Sequence, residues 1–130
     1  MTEWSFWDYI DERGINLIQE WLMDRREVPV KARAKIQRIL LQLAGTALWT
    51  RPLTSNLDDY DDIVEIRVLW MNVQYRLLGF RGPGVRQFTI LFPAKEQGGE
   101  FVPLTAPETA RTRMQTVIAN RRRASEHIFN

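Results

Sequence analysis

DIVEIRVLWMNVQYRLLGF, from Asp62 to Phe80, alternates apolar and polar residues on either side of Met71-Asn72. A two-residue turn there, with asparagine tolerating the positive φ such turns need, makes the stretch a β-hairpin. Trp70 then faces Val73, Val68 faces Tyr75, Ile66 faces Leu77, and Arg67 falls directly opposite Arg76. Val64, Ile66, Val68, Tyr75 and Leu77 share the side that must be the core, while Glu65, Arg67, Gln74 and Arg76 share the other. Like charges facing each other across a sheet cost up to about 1 kcal/mol. Two explanations satisfy the spacing equally: Glu65 is the counter-ion for one arginine, or a polyanion binds both.

Downstream, Arg81-Gly82-Pro83-Gly84 reads as a turn into a third antiparallel strand. On it Phe88, Ile90 and Phe92 continue the core, and Gln87, Thr89 and Leu91 lie on the arginine side. Pro93 to Gly99 reads as a polar loop. Thr105-Ala106-Pro107-Glu108 is a capping box with proline in the first turn, and it opens a C-terminal helix with Ala110, Met114, Val117 and Ile118 on its apolar face. From about residue 105 this segment is a basic helical tail ending in Arg121, Arg122 and Arg123.

Upstream, Trp4 to Ile10 alternates as a short strand. Asn16 with Gln19 caps a short helix ending near Arg25 and Arg26, before Pro29. Ala32, Ile36, Ile39, Leu40 and Leu43 keep helical spacing up to Gly45, with Lys31 and Lys35 on other faces. Thr46 to Asp62 is a loop with a short edge strand near Leu53 to Leu57. Its acidic run Asp58 to Asp62 lacks regular ligand spacing and reads as a solvated turn in preference to a calcium loop. The class is α+β, with helices segregated from a mostly antiparallel sheet.

The chain of 130 residues is 45% apolar, which fits one domain spanning 1–130. Lys+Arg number 18 against 16 Asp+Glu, so the net charge of +2 announces no polyanion partner by itself. Lysine occurs only at Lys31, Lys35 and Lys95; the remaining cations are arginine, suited to bidentate phosphate contacts. The absence of cysteine excludes disulfides, thiol nucleophiles and thiolate metal sites. With His127 the only histidine, neither a histidine metal cluster nor a Ser-His-Asp triad is expected near the sheet arginines. No signal-peptide pattern and no run of membrane-spanning length is present, so a cytoplasmic protein without membrane association is expected.

The order of these features resembles the RelE superfamily of toxins, in its phage-derived, HigB-like branch. The matching pieces are Gly14 to Leu22, Lys31 to Gly45, Asp62-Ile63-Val64-Glu65-Ile66-Arg67-Val68, Val73-Gln74-Tyr75-Arg76-Leu77-Leu78, Gln87 to Lys95 and Thr105 to Arg113. The resemblance implies a RelE-like antiparallel sheet with two N-terminal helices on one face and a C-terminal helix. It further implies the toxin of a type II toxin-antitoxin pair: an endoribonuclease that cuts mRNA on the translating ribosome, needs no metal or cofactor, and is neutralised by a cognate helix-turn-helix antitoxin. The family's two arginines fall on Arg67 and Arg76, and the cation after its third strand on Lys95. One departure is that its paired lysines appear here as Ala94-Lys95.

Metal-free RNA cleavage needs a base for the 2′-hydroxyl, cations for the phosphorane and an acid for the leaving 5′-oxygen. Arg67 and Arg76 suit the middle role, and Lys95 and Glu65 are the candidate proton carriers. Lys95 as a simple phosphate contact is the alternative. Lys31, Lys35, Arg121, Arg122 and Arg123 are candidate RNA contacts, although the arginine run reads more readily as a solvated helix end whose cations suit the helix dipole. Tyr75 has core parity and Trp70 sits at the turn, which favours packing over base stacking. The alternative function is a non-catalytic protein of the same fold that binds nucleic acid or a partner.

Overall fold

A computed structural model describes residues 3–130. The chain runs β1 (Ser5–Tyr9), α1 (Leu17–Met23), α2 (Val30–Ala44), β2 (Thr54–Asn56), β3 (Val64–Trp70), β4 (Val73–Arg81), β5 (Gln87–Gln97), β6 (Glu100–Val102), α3 (Ala106–Ala119), a 3₁₀ turn (Arg121–Arg123) and β7 (Ala124–Glu126). One sheet holds the strands in the order β2-β3-β4-β5-β1-β7, with β6 paired to the far end of β5. It is mixed, not antiparallel throughout: β1 lies parallel to β5, with Phe6 opposite Phe88 and Asp8 opposite Ile90.

The hairpin register is the one that parity dictates. Trp70 pairs with Val73, Val68 with Tyr75, Ile66 with Leu77 and Arg67 with Arg76. Met71 and Asn72 both take positive φ, 48° and 67°, the signature of a turn whose twist matches its strands. Ile66, Leu77, Phe88 and Ile90 are fully buried against Ile18, Leu22, Ile36 and Leu40 of α1 and α2. Each such aliphatic side chain withdrawn from water contributes about 1.5–3 kcal/mol. The Asn16 carboxamide accepts from the Gln19 backbone N–H and so starts α1, but the reciprocal half of the capping box is missing because Gln19 Oε1 has no partner. At the head of α3, Thr105 likewise makes no side-chain cap bond.

Three elements differ from the sequence expectation. First, the arginine face of the sheet, whose polar parity implies an open platform, is partly covered, because α3 packs Ala110, Met114 and Val117 over Leu78, Phe80 and Leu91. Second, Pro93 to Gly99 is not a loop. β5 continues to Gln97, and Gly98 and Gly99, at φ of 59° and 81°, turn it into β6. Pro93 is tolerated because it falls in the interval of β5 that neither β1 nor β6 pairs. Third, the arginine run does not prolong α3, and the chain past it becomes β7, antiparallel to β1.

One irregularity decides which residues meet. The β4–β5 register shifts at Leu78/Gly79, where the bulge places both Leu91 and Phe92 on the α3 side. Gly79 permits the crossing: a Cβ there would collide with the Thr89 carbonyl and the Phe88 ring. Beyond the bulge every residue of β5 has changed face. Ala94 is now opposite Arg76, Glu96 opposite Gln74, and Lys95 opposite the core residue Tyr75. Among the described residues, no helix is long and apolar enough to cross a membrane.

Candidate functional site

The part of the second face that α3 leaves free carries an ionic cluster. Arg76, with its side chain only 3% exposed, commits each of its three guanidinium nitrogens within the protein. Nε donates to Glu96 Oε1 at 3.2 Å, Nη1 to the Tyr75 carbonyl at 3.0 Å and Nη2 to Gln74 Oε1 at 2.6 Å. Glu65 Oε2 lies 3.8 Å from Arg76 Nε, and its Oε1 lies 3.6 Å from Arg67 Nε. Two carboxylates thus answer two guanidinium groups, and the opposed arginines need no bound anion to coexist.

Exposure separates the two arginines. The Arg67 side chain is 32% exposed and holds only its long contact with Glu65, so its remaining donors face solvent. Burial raises the pKa of Glu65 above the ordinary carboxylate range, despite the opposing pull of Arg76, Arg67 and Arg51; the nearby Glu96 carboxylate adds to the rise. A carboxylate of raised basicity beside a partly free guanidinium is a chemically competent arrangement for proton abstraction next to a phosphate.

Arg67, Gln74 and Arg76 of this cluster line a groove of about 510 Å³ together with Lys35, Ile39, Pro52, Leu53, Val68 and Leu69; Glu65 lies behind them and is buried. The Lys35 ammonium donates to the Leu69 carbonyl, which caps part of the β3 edge that β2 is too short to cover. The groove therefore offers two cations, Lys35 and Arg67, over a floor set by Arg76 and Gln74.

The other expected contacts are elsewhere. Lys95 is not with the arginines: the bulge turns it to the helical face, where Nζ pairs with Glu27 at 3.2 Å and sits 5.8 Å from the Tyr75 ring centroid. Glu96 takes the place on the arginine side that simple alternation from Thr89 and Leu91 would have given to Lys95. Lys31 is exposed one turn before Lys35 and does not line the groove. Arg121 donates to the Pro83 carbonyl at 3.2 Å. Arg123 pins the turn to β1 through the Ile10 carbonyl at 3.0 Å and the Tyr9 hydroxyl at 2.7 Å. Arg122 is exposed. Tyr75 is buried, with Trp21 edge-on at 5.9 Å, so it packs and cannot stack on a base.

His127 lies in a second buried polar cluster that the sequence did not foreshadow. Its Nδ1 is 2.8 Å from Asp8 Oδ1 and its Nε2 is 2.7 Å from Gln37 Oε1. The Gln37 Nε2 donates to the Ile128 carbonyl at 3.1 Å, so Oε1 faces the ring as an acceptor and His127 Nε2 is the donor. Asn16 donates to the other Asp8 oxygen at 3.0 Å. Every polar atom has a partner and none faces a groove, so the cluster staples the C-terminal strand to β1, α1 and α2. Among the described residues no group of three His, Asp or Glu side chains is placed to share a metal ion.

Glu96 and Arg51 are the members of the site that sequence reasoning missed; parity places Gln74 on the arginine face but gives it no role. A signal for Glu96 existed in Gly79, whose bulge reverses parity along β5. Compared with protein-family models, curated proteins and solved structures, the chain matches none.

Proposed function

We propose that this chain is the toxin of a type II toxin-antitoxin pair with a RelE-like arrangement, a metal-independent endoribonuclease acting on mRNA at the translating ribosome. The observation that carries the reading is the cross-strand meeting of Arg67 and Arg76, which line a groove with Lys35, backed by the Glu65 carboxyl that contacts both guanidinium groups and is raised in pKa. The packing of α1 and α2 together on one face of the sheet also supports it.

In this mechanism Glu65 takes the proton from the 2′-hydroxyl, and the resulting oxyanion attacks the adjacent phosphorus. Arg67 and Lys35 stabilise the charge of the phosphorane. Arg76 is a positioning residue, since its donors hold Glu96, Gln74 and the Tyr75 carbonyl while its charge steadies Glu65. Breakage of the bond to the 5′-oxygen leaves a 2′,3′-cyclic phosphate, with the leaving oxygen protonated from water or from the ribosome. Lys95, paired with Glu27 on the other face, has no part in the step. The reading carries with it a cytoplasmic site of action and a helix-turn-helix antitoxin as partner.

A second reading, a non-catalytic nucleic-acid-binding protein of the same kind, is favoured by the full commitment of the Arg76 nitrogens. Induced expression of wild type, Arg67→Ala and Glu65→Gln, with mapping of mRNA 5′ ends during translation, separates the two. New in-frame 5′ ends that vanish in both variants support the nuclease. A folded wild type that produces no new ends sinks it in favour of the second reading.

A further inference from the structure

A second groove, of about 360 Å³, adjoins the same segment 50–53 and is lined by Trp49, Thr50, Arg51, Thr54, Ser55, Asn56, Asp58 and Arg81. The two cavities share this segment as a wall: Thr50 and Arg51 face the second, Pro52 and Leu53 the first. Arg67 donates its backbone N–H to the Leu53 carbonyl at 2.8 Å, so the wall is the direct hydrogen-bonded neighbour of the residue proposed to hold the scissile phosphate. The Arg51 charge acts on the Glu65 carboxyl from the same wall.

Among the described residues the two cations of this second groove carry no counter-ion, like other exposed arginines such as Arg25 and Arg122, but they line one cavity together. Arg76, Arg67, Lys95, Arg86 and Arg123 are all ion-paired. Among the described residues neither Arg51 nor Arg81 has such a partner, and both are exposed. Arg81 lies 5.5 Å from the Trp49 ring centroid and 5.8 Å from that of Trp4, which fixes its guanidinium over an aromatic floor without using a carboxylate. Asp58 is the groove's one carboxylate. As an acceptor only, it excludes phosphate from its own corner and leaves that corner to a base's amino group.

We propose that single-stranded RNA crosses β2 from the Lys35–Arg67 groove into this one, where Arg51 and Arg81 hold the phosphate of a nucleotide flanking the cleavage position. This rests on the RNA-directed reading above, and names two contacts that fix where the strand lies. Base recognition through Asp58 would then bias which nucleotide occupies the flanking position.

The test is fluorescence anisotropy with labelled single-stranded RNA of about twelve nucleotides, within the range of strand lengths that single-strand-binding grooves accommodate and long enough to enter both grooves. It is done in the full chain carrying Glu65→Gln, so that cleavage does not intervene. Arg51→Ala with Arg81→Ala is expected to weaken binding roughly tenfold and to reduce the salt slope by about 0.7 for each phosphate that is no longer neutralised. Arg51→Lys with Arg81→Lys should retain the slope. Arg26→Ala, at an exposed site remote from both grooves, should bind as the parent does. Near-UV circular dichroism of each variant checks that the tryptophan packing around Arg81 survives. A folded double-alanine variant with unchanged affinity and unchanged slope overturns the proposal, as does an absence of RNA binding by the parent. Cleavage mapping with the Glu65 carboxyl intact is a separate readout. If it finds no cutting while the double-alanine variant still binds more weakly, the nuclease falls and the RNA path stands.

Discussion

The two buried polar clusters at opposite ends of the sheet are built from similar parts and do different things. Around His127, Asp8, Gln37 and Asn16 close every hydrogen bond inside the core, and the product is a staple. Around Arg76 the charges are also satisfied, yet the cluster ends in Arg67, which reaches the groove with donors to spare. Buried charge must be paired wherever it occurs, because an unpaired ion in the interior costs several kcal/mol. What separates a structural cluster from a reactive one is whether one member can exchange its partner for a ligand.

Breaking the closed cluster gives the largest expected effect. Asp8→Ala leaves His127 and the Asn16 amide without their acceptor, and should cost about 3–5 kcal/mol in urea unfolding while leaving RNA cleavage per folded molecule unchanged. Arg76→Ala comes next, at about 3 kcal/mol, because Glu65 and Glu96 lose their shared cation but lie nearer solvent. Gly79→Ala tests the bulge itself: crowding against the Thr89 carbonyl and the Phe88 ring should cost about 3 kcal/mol, measured by thermal unfolding. In the open cluster, Arg67→Lys should change stability by less than about 1 kcal/mol, as expected for a half-exposed pair. Its RNA cleavage should nevertheless fall by about tenfold or more, because the planar fork is lost while the charge remains.

The smallest stability effect is the pH dependence of Glu65. Its pKa is raised in the folded protein, so the native state binds this proton more tightly than the unfolded chain does. The stabilising contribution is therefore complete below the ordinary carboxylate pKa and is lost as pH rises through the folded value. Cleavage should rise over that same interval as the base ionises. Comparison of unfolding curves for wild type and Glu65→Gln across mildly acidic pH isolates the effect, since the variant has nothing to titrate there. Equal pH slopes for the two would show that Glu65 has no raised pKa in the folded protein, and a flat pH profile of cleavage would remove it from the role of base.

The hairpin was legible because alternation is a local property. A two-residue turn at Met71-Asn72 sets the register, and the register alone brings Arg67 opposite Arg76 and Glu65 to the same face. The helices at Leu17–Met23 and Val30–Ala44 were legible from their periodicity, and α3 from its proline and apolar spacing. The position of Lys95 was not, since parity counted from Thr89 fails at a bulge that the missing Cβ of Gly79, close against the Thr89 carbonyl and the Phe88 ring, permits.

By itself, then, the sequence determined the α+β class, the central hairpin and the facing arginines, all of which follow from periods of two and 3.6 along the chain. Tertiary structure decided the rest. It set β1 parallel to β5, brought the C-terminal strand back onto β1 through His127, laid α3 over half of the polar face and exchanged Lys95 for Glu96 beside Arg76. Each of these joins residues far apart in the chain, and their pairing depends on packing and charge satisfaction between surfaces that exist only once the sheet has formed.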